Sequence, residues 1–106
     1  MFKKWIAKIK ARKAFNVFKS YIKASKDYDT KWISIVDKGC ADYNPRFEGQ
    51  SYIHLHCENK DASNDLYIRM PKDMDETSWI STLQIDICAY KAGFTIKHQK
   101  PSLKKD

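Results

Sequence analysis

Glycine is scarce in this chain, with three in 106 residues. A loop that cradles phosphate on backbone N–H groups needs several, because glycine alone lets the main chain approach an anion so closely. Neither a GxGxxG nor a Walker pattern is present, and GxSxG and HExxH are missing as well, which removes the common nucleotide-dependent, serine-hydrolase and zincin signatures. Cysteine is equally sparse. Cys40, Cys57 and Cys88 are odd in number, widely spaced and without a CxxC pair, which fits free thiols in a reducing cytosol better than a disulfide framework. No apolar run approaches the roughly twenty residues of a membrane span. Lysines interrupt the N-terminal stretch too often for a secretory signal, and arginine and serine are too rare there for a mitochondrial presequence. The expected location is the cytoplasm.

The most informative absence is local. Residues 1–26 contain no Asp or Glu but nine Lys or Arg, whereas the other eighty residues carry eleven basic and thirteen acidic side chains. The formal charge of +7 is therefore concentrated in one N-terminal segment on a slightly acidic body. Such asymmetry points to a polyanionic partner.

No Pro or Gly interrupts residues 2–26, and Ala and Lys favour helix. A helical projection puts Ala11, Ala14, Phe15, Phe18, Tyr21 and Ile22 on one side, a core-facing stripe. Lys8, Arg12, Lys19, Lys23 and Lys26 fall within about 60° of one another. Phe2, Trp5, Ile6 and Ile9 form a second apolar stripe, turned about 180° from the first. One straight helix cannot bury both in one core, so either the chain bends near residues 10–13 or the second stripe meets something else. That something is a covering loop or tail, a second copy in a homodimer, a partner groove or a membrane surface.

Beyond the helix, residues 31–37 read as a strand and 39–50 as a loop. Residues 51–57 alternate, with Ile53, Leu55 and Cys57 facing one way and Tyr52, His54 and His56 the other. Residues 58–65, including Asp61 and Asp65, read as a polar connection. Residues 66–70 form a hairpin partner with Leu66, Ile68 and Met70 inward, ended by Pro71. Asp73 with Glu76 resembles a capping box. Trp79, Ile80, Leu83, Ile87 and Tyr90 make a helical stripe over 74–92, competing with a strand through Leu83, Ile85 and Ile87, and Gly93 suits the position after the helix. Residues 94–98 read as a last strand and 99–106 as a polar tail. The expected fold is one small α+β domain over 1–98 in the order α-β-β-β-α-β, an antiparallel sheet with two helices packed on one face.

His54 and His56 share a strand face and form an H-x-H pair that suits zinc, with Cys40 or His98 as remote partners. The same pair suits acid–base work in a small nuclease. No spaced cysteine pair and no telling carboxylate pair accompany them, so the sequence gives no assigned metal, cofactor or catalytic residue. The first five elements follow the order of double-stranded-RNA-binding domains. The lysine cluster those domains place at the start of the second helix is replaced here by Asp73, Asp75 and Glu76, and element order alone identifies no family.

The basic stripe is the stronger signal. Crowded lysines repel unless an anion screens them, and lysine outnumbers arginine eight to one in residues 1–26, which favours phosphate contact over base reading. The leading expectation is a non-catalytic domain that binds the DNA or RNA backbone through Lys8, Arg12, Lys19, Lys23 and Lys26. The alternative is a protein-interaction module or inhibitor that docks onto an acidic protein surface through Phe2, Trp5, Ile6 and Ile9, in a composition common among small phage proteins. A third is peripheral binding to an anionic membrane.

Overall fold

The computed structural model describes residues 2–41, 43–71 and 75–99, with side chains at all of these except 2–8, 10, 11, 76, 82, 98 and 99. A single helix α1, Phe2–Ala24, opens the chain. It runs about 35 Å at 1.5 Å per residue with no break at residues 10–13. Phe18 and Tyr21 are buried, and Ala14, Phe15 and Ile22 pack beside them, as the first stripe requires.

Strands β1 (Thr30–Val36), β2 (Tyr52–Glu58), β3 (Ser63–Arg69) and β4 (Thr95–Gln99) form one sheet in the order β3-β2-β1-β4. The β1–β2 and β2–β3 pairs are antiparallel, but β4 joins β1 in parallel. The sheet is therefore mixed where an antiparallel one was expected. The chain reaches β4 from the helical layer rather than from a hairpin, and a crossover of that kind delivers a parallel strand. Ile33, Ile35, Ile53, Leu55, Cys57 and Ile68 project from one face and are buried beneath the helices.

The expected helix over 74–92 is two helices, α2 (Glu76–Leu83) and α3 (Ile85–Lys91), separated by Gln84 in the left-handed conformation at φ 52° and ψ 40°. Leu83 and Ile85 are both fully buried. On a straight helix they would point about 200° apart, and the left-handed residue resets the phase so that both reach the core. The same reset buries Ala89 and turns Ile87 and Tyr90 outward, 58% and 82% exposed. Their expected place in the core stripe is thereby corrected. Asp75 caps α2 by accepting from Ser78 N, while Asp73 lies outside the described residues. Gly93, at φ 83°, ends α3 in a Schellman arrangement, with Phe94 N donating to Ala89 O at 2.9 Å. Phe94 is buried, and the chain passes directly into β4. Of the expected tail, Gln99 belongs to β4, and 100–106 lie outside the described residues.

Among the described residues no α-helix covers the other sheet face. Its register places Trp32, Ser34 and Val36 of β1 beside His56, His54 and Tyr52 of β2, and these beside Asp65, Tyr67 and Arg69 of β3. The loop after β1, with a 3-10 helix at Pro45–Phe47, closes one end of this face. There Phe47 stacks on Tyr52 with ring centroids 3.9 Å apart, in a small cluster with Val36 and Cys40. Among the described residues nothing closes the end carrying Trp32, His54, His56 and Asp65.

Candidate functional site

Two features merit a functional reading: the polar face of α1 and the open end of the sheet. On α1, Arg12, Lys19 and Lys23 are exposed, and Lys26 is exposed in the turn that follows. Lys8 is part of α1, but its side chain lies outside the described residues. Among the described residues no lysine or arginine forms an ion pair; the ion pairs there join His54 and His56 to Asp65 and Glu58. Lys19 Nζ stands 4.4 Å from the centre of the Phe15 ring, a contact that orients its stem without neutralising the charge.

Lys19 and Lys23 edge a groove of about 690 Å³ between α1 and α3, with Asn16 and Ser20 on the α1 side, Lys91 on the α3 side and Ile22, Cys88 and Ala92 as its floor. Lys91 enlarges the basic face from a second element. Sequence reasoning missed it because nothing in a one-dimensional pattern brings α3 alongside α1. Of the second apolar stripe, Ile9 is 37% exposed; Phe2, Trp5 and Ile6 lie in α1 with side chains outside the described residues.

The open sheet face holds a tight polar cluster of His54, His56, Asp65 and Glu58. Period-two alternation lifts His54 and His56 to the same face of β2, and β3 supplies Asp65 directly opposite His56. Asp65 Oδ1 accepts from His54 Nε2 at 2.7 Å and from His56 Nδ1 at 2.8 Å, and Glu58 Oε1 accepts from His56 Nε2 at 2.7 Å. Both ring nitrogens of His56 are directed at carboxylate oxygens, an arrangement that favours the protonated ring. Burial alone would lower its pKa, but the hydrogen bonds to Asp65 and Glu58 outweigh that and hold it above the usual value. Burial likewise acts to raise the Asp65 pKa, and the two histidines outweigh it and hold the carboxyl below its usual range. Trp32 stacks on His56 at 4.9 Å and meets His54 edge-on at 4.8 Å, while Tyr67 stacks on His54 at 4.2 Å. Both imidazoles are thus fixed by aromatic walls.

The sequence placed Asp65 in a loop. The hairpin connection is shorter than expected, closed by Asn59 N donating to Ala62 O at 2.8 Å, so β3 starts at Ser63 and takes Asp65 into the sheet. Cys40 is buried with Phe47 and Tyr52, and Cys57 is buried on the helix-covered face beneath the histidines. The side chain of His98 lies outside the described residues. Among the described residues no helix is long and apolar enough to cross a membrane. Comparison with family models, with characterised proteins and with solved structures finds no match, so the reading of both features rests on their own chemistry.

Proposed function

We propose that this chain is a non-catalytic α+β domain that binds the phosphate backbone of DNA or RNA through the polar face of α1. One observation carries the reading: Arg12, Lys19, Lys23 and Lys26 stand exposed with no carboxylate partner among the described residues. A helix face loaded with like charges opposes its own folding, and phosphate relieves that repulsion while releasing the counterions condensed on the nucleic acid. Lys91, across the groove from Lys19 and Lys23, gives the surface a second wall. Contact is to backbone rather than to base edges, because a lysine-dominated face lacks the bidentate donors that read guanine.

The test is a titration of a labelled duplex and a labelled single strand at two salt concentrations. Affinity is expected to fall steeply with salt, and Arg12→Glu combined with Lys19→Glu to abolish binding. No binding at low salt would remove the proposal.

A second reading is an interaction module that docks through the N-terminal helix, favoured by Ile9 at 37% exposure on α1. It predicts that Trp5→Ala abolishes capture of an acidic protein partner while leaving the melting temperature unchanged. A large drop in melting temperature would make Trp5 part of the core instead.

A further inference from the structure

We propose that His54, His56 and Asp65 form a binding site for a divalent transition-metal ion, zinc by preference, with one coordination position left open to solvent. Each of the three offers a ligand atom within 4.8 Å of those of the other two, and Asp65 Oδ1 meets His54 Nε2 at 2.7 Å and His56 Nδ1 at 2.8 Å. Two imidazoles and a carboxylate are the donor set that zinc takes in sites with three protein ligands, the fourth position going to water. The set lacks thiolate, because Cys57 is buried on the opposite face, and it has too few oxygens for calcium or magnesium.

Three features of the surroundings separate this arrangement from a chance surface cluster. Two of the donors are strand neighbours in register, His56 opposite Asp65, and the third lies two residues along the same face. The backbone of the sheet therefore fixes their spacing. Glu58 accepts from His56 Nε2 at 2.7 Å, which leaves Nδ1 as the nitrogen that faces the other donors. A carboxylate behind a ligating histidine is the usual outer support of a metal site, fixing the ring and raising its basicity. Finally, Trp32 and Tyr67 stack against the two rings, so the side chains are 21% and 14% exposed. They are screened from solvent yet reachable from the open end of the sheet.

The metal would take the place now held by the hydrogen bonds, and the protons on the two coordinating nitrogens would be released to solvent as it binds. Tetrahedral ligands about 2.0–2.1 Å from zinc lie about 3.3 Å from one another. The Asp65 oxygen must therefore retreat slightly from its 2.7 and 2.8 Å contacts while the two rings converge. Side-chain rotations on a fixed strand pair suffice for that.

The experiment uses the full chain, stripped with a chelator and dialysed. Zinc is titrated in competition with a chromogenic indicator, and cobalt(II) is added in parallel to report geometry. One zinc per chain is expected, with micromolar or tighter affinity, and visible cobalt bands of tetrahedral intensity without thiolate charge transfer. Asp65→Asn and His56→Gln are each expected to weaken binding at least tenfold, and Glu58→Gln tenfold or more through the support it gives His56. His98→Gln is expected to change nothing. Imidazole nitrogen NMR of the unmutated chain gives a readout independent of variant folding: zinc should shift the signals of His54 and His56 and leave His98 in place. Millimolar binding, octahedral cobalt, undiminished affinity in Asp65→Asn, or a zinc shift at His98 in place of the pair would each overturn the assignment.

Discussion

Tyr21 ties the first helix to the sheet with one hydroxyl. Its Oη donates to Asn64 O at 2.6 Å, and Cys57 Sγ lies 3.3 Å away as a second partner. Tyr21→Phe keeps the ring but leaves the Asn64 carbonyl without its donor, and should cost about 1–2 kcal/mol in urea denaturation. Burial, reinforced by Cys57, pushes the Tyr21 pKa well above its ordinary 10.0. Above that value the unfolded chain loses its phenolic proton while the native chain keeps it, so the native state binds more protons and stability falls as pH rises. At neutral pH both forms are protonated and the group contributes no pH dependence. By pH 11 the loss attributable to Tyr21 should reach about 1.4 kcal/mol relative to neutral pH, measurable as a steeper fall in the wild type than in Tyr21→Phe. Equal slopes would contradict the burial of that hydroxyl. Elsewhere in the core, Phe18 is fully buried on α1, and Phe18→Ala should cost about 3–5 kcal/mol.

Among the described residues, the α2–α3 junction is one of two places, with Glu48, where a non-glycine residue takes the left-handed conformation. Gln84 holds φ 52° and ψ 40°, a conformation that costs an ordinary residue roughly 1–2 kcal/mol and glycine almost nothing. Its side chain is exposed, so replacing it loses no packing. Gln84→Gly is expected to stabilise the domain by about 0.5–1 kcal/mol after the entropy of glycine is subtracted, and Gln84→Val to destabilise it, both read from denaturation midpoints. If Gln84→Gly destabilised instead, the two helices would be one in solution, and Ile87 and Tyr90 would return to the core-facing stripe. A strand through Leu83, Ile85 and Ile87 is the competing expectation for this segment, and only its first two residues are buried. A helix break rather than a pleat brings Leu83 and Ile85 to the same side, and Ile87 is exposed.

On the scale of the whole molecule the controlling quantity is where charge sits. The excess of +7 is borne by residues 1–26, with Lys91 of α3 set beside them across the groove, on a sheet whose open end holds Asp65 and Glu58. If phosphate contact drives binding, each lysine removed from the contact surface should reduce the log–log salt slope on duplex DNA by about 0.9. Lys91→Glu should then weaken binding as much as Lys23→Glu, because both border the same groove. Lys38, in the turn at the far end of β1, should be silent. An effect of Lys23→Glu without one of Lys91→Glu would confine the interface to α1.

The chain's own order of residues determined a good deal. Uninterrupted helix formers with apolar residues three and four apart specify α1 and its buried face. Alternation specifies β2 and puts His54 and His56 on one side with Cys57 on the other. The charge imbalance is a property of composition alone. Tertiary structure decided what depends on two segments meeting. Asp65 joined the histidines because a short hairpin turn set the register of β3, and register is an interstrand property that no single strand encodes. Lys91 joined Lys19 and Lys23 because α3 packs beside α1. Gln84 broke a helix that its propensities permit, because burying both Leu83 and Ile85 outweighs one residue of backbone strain. Local periodicity reports what a segment prefers by itself; the competition for a shared core determines which neighbours it acquires.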